Sequence, residues 1–121
     1  EQYAAFVNRF AAIGMKYLHQ PEILQLLDRF YWFTIEFGLM RENGQLRIYG
    51  AGLISSFGEA IHALSGNVTL LPFDVKTILE TTFRNDQLQH LYFVVDDMQQ
   101  LWDSVAELDL LLMNVYHGER V

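Results

Sequence analysis

Phe30-Tyr31-Trp32-Phe33-Thr34-Ile35-Glu36-Phe37-Gly38-Leu39-Met40 carries a single charge, Glu36, among large apolar side chains. A helix that is apolar nearly all round belongs in the middle of a core, so this stretch sets the centre of the fold. It closes a helix predicted over residues 22–38, with Ile23, Leu26, Leu27, Phe30, Tyr31, Thr34 and Phe37 on one side. Pro21 stands at its first position, where a missing N–H costs nothing. Upstream, Tyr3, Phe6, Val7, Phe10, Ile13 and Tyr17 recur in threes and fours, which predicts an amphipathic helix over residues 1–18. Downstream, Asn43-Gly44 is a two-residue hairpin signal, because both turn positions need positive φ. It predicts strands over residues 39–42 and 45–49. A third helix is expected over residues 53–64 and a short one from Asp74 to about residue 81. Residues 90–95 read as a strand. Asp96, with Gln99 three residues later, resembles a capping box opening a last helix to about Tyr116. The expected fold is one mainly α domain over residues 1–121 with one or two short β-hairpin elements.

The chain has 121 residues, with eight Lys+Arg against fifteen Asp+Glu and a net charge of −7. That balance leaves no electrostatic footprint for nucleic acid and opposes binding to anionic lipid. The longest stretch without Asp, Glu, Lys or Arg, residues 60–73, is shorter than the roughly 20 apolar residues of a membrane span. No basic segment precedes an apolar core, so no signal peptide is visible, and a cytoplasmic location is expected. The absence of cysteine excludes disulfides, thiolate catalysis and Cys-ligated metal within these residues. The first residue is Glu1, so the chain is expected to be a piece of something longer.

Glu36 is the most informative residue. Its neighbours three and four positions away are Trp32, Phe33, Leu39 and Met40, so no cation shares its helical face. A buried carboxylate costs several kcal/mol unless compensated. Three readings are open: a metal ligand, a partner of Arg41, Arg47 or another distant cation, or a carboxyl kept neutral by burial. Pattern alone favours the distant salt bridge.

Tyr31-Trp32-Phe33-Thr34-Ile35-Glu36-Phe37-Gly38-Leu39 is followed by Tyr49-Gly50-Ala51-Gly52-Leu53-Ile54-Ser55-Ser56-Phe57-Gly58-Glu59. These two motifs, in this order and spacing, resemble the pterin-dependent aromatic amino acid hydroxylases, and Leu91-Tyr92-Phe93-Val94 extends the likeness; residues 110–121 look unlike that family. The resemblance implies the C-terminal portion of a catalytic domain. Its reaction would hydroxylate an aromatic L-amino acid, phenylalanine first, with non-haem Fe(II), O2 and tetrahydrobiopterin. Such sites hold iron by two histidines and one carboxylate, and Glu36 matches the carboxylate, which makes metal the favoured reading. The family's histidines form a His-x-x-x-x-His segment upstream. None of His19, His62, His90 or His117 has that placement, so these residues are expected to supply one ligand of three and no activity alone. Tyr31 matches a tyrosine near iron and pterin, and with Glu36 it is a candidate catalytic residue. Trp32 and Phe37 match walls of the substrate ring pocket. Gly52 and Ser55 match positions that hold the substrate carboxylate and orient a ligand histidine.

Composition alone reads Gly50, Gly52 and Ser55 as a turn and helix start, and Trp32 and Phe37 as core. Gly50-x-Gly52-x-x-Ser55 superficially imitates a dinucleotide fingerprint but lacks the βαβ context. Glu59-x-x-His62 is half of a di-iron motif without its second half. Ser55 and Ser56 sit in no nucleophile elbow. The alternative class is a non-enzymatic helical interaction module. No heptad-rich tail follows the last helix, which leaves a monomeric parent as the expectation.

Overall fold

The structure is a computed structural model that describes all 121 residues. It is mainly helical. Helix α1 (Gln2–Lys16) packs along the last helix, and α2 (Pro21–Tyr31) runs directly into a π-helix, Trp32–Glu36. The hairpin strands β1 (Leu39–Glu42) and β2 (Gln45–Ile48) follow, then α3 (Ala51–Ile54) and α4 (Phe57–Ala63). Strand β3 (Thr69–Pro72), α5 (Val75–Leu79), β4 (Leu91–Val95) and α6 (Met98–Tyr116) complete the chain.

The hairpin forms where Asn43-Gly44 predicts it, with φ of 54° and 77° at the two turn residues. The sheet order is β2-β1-β4-β3, antiparallel within the hairpin and parallel in both other pairs. Strand β4 lies inside the sheet, and Tyr92, Phe93, Val94 and Val95 are all buried. A continuous apolar run is what a strand covered on both faces requires. Strand β3 is absent from the predicted elements, and it ends in Pro72. It sits at the sheet edge, where a residue without an N–H is tolerated.

Three predicted elements change shape. The helix over residues 22–38 stops being α-helical at Tyr31. The helix over residues 53–64 breaks at Ser55-Ser56, where the Ser56 hydroxyl accepts from the Glu59 amide at 3.3 Å and starts α4. The last helix begins one residue late. Asp97 accepts from the Gln100 amide at 2.8 Å, and the Gln100 side chain accepts from the Asp96 amide at 2.7 Å.

One core joins α1, α2, α5, α6 and β4 through Phe6, Ile13, Phe30, Ile78, Phe93 and Leu108; a smaller one joins Phe37, Leu39, Leu53 and Tyr92. Trp32 packs against both. The predicted core centre is therefore a seam between two cores.

Candidate functional site

The site is built on the π-helix. The Thr34 hydroxyl donates to the Phe30 carbonyl at 2.6 Å, the back-bonding by which threonine bends a helix. The Phe37 amide then reaches the Trp32 carbonyl, five residues back, at 3.0 Å. In an α-helix residues five apart lie about 140° apart around the axis. The wider turn places them one above the other, so the Tyr31 hydroxyl donates to Glu36 Oε1 at 3.2 Å. A π-turn inside a helix is common at functional sites.

Glu36 is half-buried and joins no ion pair. The distant salt bridge is therefore not formed: Arg47 lies 3.8 Å from Glu42 on the hairpin surface, and Arg41 is exposed and makes no ion pair. The Glu36 charge acts instead on phenols. Burial first, then Glu36 through its charge and hydrogen bond, holds the Tyr31 phenol above its ordinary value. Burial, then Tyr31, then Glu36 does the same to Tyr3, a residue the sequence did not single out for the site. Tyr3 meets Tyr49 edge to face at 6.0 Å. The Tyr49 hydroxyl is buried without a partner, and burial pushes its ionisation far above the usual phenol range.

The second motif closes on the first through its glycines. A Cβ on Gly50 would collide with the Glu36 carbonyl. A Cβ on Gly52 would lie 3.0 Å from that carbonyl oxygen, 3.0 Å from Phe37 Cζ and 3.1 Å from Glu36 Oε2. Glycine lets the α3 backbone approach the carboxylate this closely, and a side chain at Gly52 would make its neighbours give way. The bland reading also holds in part, since Gly50 caps α3. Ser55 ends that helix, exposed, with its hydroxyl on the Gly52 carbonyl at 3.3 Å; its bond is to Gly52 rather than to Glu36.

Trp32 and Phe37 come together with ring centroids 4.5 Å apart. On the other side of Trp32, Phe83 stacks nearly parallel at 4.4 Å and 11°. Phe83 lies between α5 and β4, and nothing in its sequence surroundings marks it.

No histidine is hydrogen-bonded to the Glu36 side chain, whose partner is Tyr31. His62 and His90 meet edge to face at 5.4 Å, with His62 Nε2 buried and unpartnered. Glu59 accepts from the Tyr92 hydroxyl at 3.1 Å. No three His, Asp or Glu side chains are grouped to hold a metal ion.

The sequence pattern of the biopterin-dependent aromatic amino acid hydroxylases matches residues 2–116. The chain belongs to this family. The match continues through α6, past residue 110 where the likeness was expected to stop. The chain is 41% identical over 112 residues to the phenylalanine-4-hydroxylase of Vibrio cholerae, covering 92% of this chain and 38% of that protein. It is 48% identical over 103 residues to the phenylalanine-4-hydroxylase of Ralstonia nicotianae, covering 84% and 33%. The tyrosine 3-monooxygenase of Rattus norvegicus is 39% identical over 84 residues, 69% of this chain and 17% of that one. Among solved structures, the cobalt-bound phenylalanine hydroxylase of Chromobacterium violaceum aligns with a TM-score of 0.81 and 36% identity, over 93% of this chain and 42% of that one. The chain thus spans well under half the length of these relatives.

Proposed function

We propose that the protein carrying this chain is an aromatic amino acid monooxygenase of the phenylalanine 4-hydroxylase kind, acting in the cytoplasm with Fe(II), O2 and tetrahydrobiopterin. The chain itself is read as the C-terminal portion of the catalytic domain. One observation carries the reading: the two motifs meet at a half-buried carboxylate that has no cation, beside an aromatic wall.

The donor chemistry fits a divalent metal at Glu36. Tyr31 occupies Oε1, while Oε2 faces the space that Gly52 leaves open. A hard carboxylate oxygen suits the single acidic position of a two-histidine, one-carboxylate iron site. The histidine ligands would come from residues outside this chain, because no three His, Asp or Glu side chains here are grouped to hold a metal ion. Bound iron and pterin supply the oxygen chemistry, as cofactors do in general.

This chain's residues do the remaining work. Tyr31 orients the carboxylate through its hydrogen bond. Trp32 and Phe37 form an apolar wall for the substrate ring. Gly52 keeps a side chain away from the carboxylate. Ser55, one turn further, takes the substrate carboxylate or fixes a ligand histidine, whose second nitrogen needs a partner in a metal site. The aromatic L-amino acid and O2 are the partners.

Glu36→Gln tests the reading, since it keeps the shape and removes the negative charge. Iron content and tetrahydrobiopterin-dependent phenylalanine hydroxylation are both expected to fall by more than the roughly 10–100-fold typical of an outer-sphere metal-site change. Unchanged iron content and activity would remove Glu36 from the site. A protein that binds neither iron nor phenylalanine with Glu36 intact would be the non-enzymatic helical module instead. The 121 residues alone are expected to bind Fe(II) weakly and to show no hydroxylation.

A further inference from the structure

Trp32 brings the one polar atom of the aromatic ladder, its indole nitrogen, and that atom is already committed. Nε1–H donates to Oε1 of Gln89, and Gln89 Nε2 donates to the Leu91 carbonyl at 2.8 Å. An indole N–H only donates and a carbonyl only accepts, so the link between them needs one acceptor and one donor at the end of a single side chain. An amide has both, and these partners fix which way it faces. Leucine has neither group, and an ionised carboxylate lacks the donor. Gln89 is only 9% exposed, which limits competition from water for either bond.

The backbone of Gln89 lies beside a buried phenol. Its carbonyl is 3.3 Å from the Tyr92 hydroxyl, whose one proton goes to Glu59 Oε2 at 3.1 Å. Tyr92 is fully buried. A polar chain therefore runs from α4 through β4 and Gln89 to the π-helix. It approaches Trp32 at its ring edge, while Phe83 and Phe37 lie against its faces.

We propose that Gln89 is a positioning residue for the aromatic pocket. By taking the Trp32 indole N–H it fixes the rotation of that ring and removes the ladder's single polar atom from the surface offered to an aromatic side chain. The proposal rests on the reading of Trp32 as a wall of the substrate pocket and sharpens it: the indole meets the substrate ring with its carbon surface alone.

Hydrogen exchange of the indole protons, followed by NMR on this chain, tests the contact directly. The sequence has two tryptophans, and Trp102→Phe assigns their signals. The Trp102 indole has no protein acceptor, its ring instead lying under Arg9 at 4.5 Å. In the wild-type chain the Trp32 proton is expected to exchange about ten-fold more slowly than that of Trp102, the effect of one net hydrogen bond. Gln89→Leu fills the space without an acceptor and should abolish the difference. Gln89→Glu keeps an acceptor and should retain it, which a purely space-filling role would not produce. The Trp102 signal reports in each case that the chain is folded. If Gln89→Leu does not fold, the wild-type ratio and Gln89→Glu decide. Equal rates for the two indoles in the wild-type chain, or an unchanged Trp32 rate in folded Gln89→Leu, would overturn the proposal. No iron or substrate is involved, so a failed iron site leaves this result standing, and free exchange at Trp32 leaves the Glu36 reading intact.

Discussion

On one side of the molecule α1 and α6 meet through side chains; on the other, the π-helix and α3 meet through backbone. Gly14, in α1, has no atom within 4 Å of where a Cβ would lie. Gly50 has the Glu36 carbonyl in that place. The α1–α6 side buries Phe6, Ile13, Leu101, Leu108 and Leu112 in the main core. The π-helix side holds a carboxylate without a cation and a phenol hydroxyl without a partner. Natural proteins break local rules at functional sites and compensate elsewhere. Here the compensation comes from the regular helical core, which leaves the other side free to hold groups that do nothing for stability.

The same substitution in the two regions should therefore change stability with opposite signs. Gly50→Ala drives a methyl group into backbone that cannot rotate aside, and is expected to cost about 1–3 kcal/mol or more. Gly14→Ala removes a flexible residue from a helix interior with room to spare, and should add about 0.5–1 kcal/mol. Denaturant midpoints at equal slope measure both. If Gly50→Ala is as well tolerated as Gly14→Ala, the motifs do not interlock as described. Gly50→Ala should also displace the Glu36 peptide, so under the proposed function it should weaken iron binding by the protein carrying this chain, whereas Gly14→Ala should not.

A smaller effect isolates one unsatisfied group on the π-helix side. The Tyr49 hydroxyl is buried and bonded to nothing, and such a group costs about 1–3 kcal/mol. Tyr49→Phe keeps the ring against Gly38 and Tyr3 and deletes only the oxygen. The variant should be more stable than the wild type by about 1 kcal/mol, seen as a higher denaturant midpoint. A loss of stability would mean that the hydroxyl has a partner in solution and that the two sides differ less than their contacts suggest.

The regular side was legible in the sequence because periodicity records side-chain burial. The threes and fours of Phe6, Phe10 and Ile13 mark α1, and Asn43-Gly44 marks the hairpin turn, with the second strand ending one residue earlier than expected. The site was legible only in part. Motif resemblance named Glu36, Trp32, Phe37 and Gly52, and the structure brings these four together. It did not show that Tyr31 reaches Glu36, because a 3.6-residue period places residues five apart on different faces. Phe83 and Gln89, which contact Trp32 from the irregular segment before β4, carry no signal because no period exists there to read. The break after α3 could have been found: Ser56 and Glu59 stand in capping-box spacing, inside a run that reads as one helix.

The smallest expected effect concerns Glu36 and the phenols around it. Tyr31 and Tyr3 both have folded-state ionisation shifted upward, chiefly by burial and further by the Glu36 charge. A phenol ionises near pH 10 in an unfolded chain. Below that pH both states are protonated and the contribution of these groups to stability is fully present. As pH rises through the folded-state values, the unfolded chain has already released its protons while the folded chain still holds them. Stability then falls with pH, because the unfolded state binds fewer protons. Tyr31→Phe should make the alkaline decline shallower, and Glu36→Gln should do so more weakly, since it removes only the secondary cause at each phenol. Denaturant midpoints between about pH 8 and pH 11, with phenolate absorbance as a second readout, separate the two variants. Tyr31 is 40% exposed, so solvent screens much of its coupling to Glu36, and high salt should shrink the Glu36→Gln difference further. If Glu36→Gln leaves the phenol titration unchanged at low salt, Tyr31 is not held on the carboxylate. The orienting contact from which the site was built would then be lost, while the regular side would be unaffected.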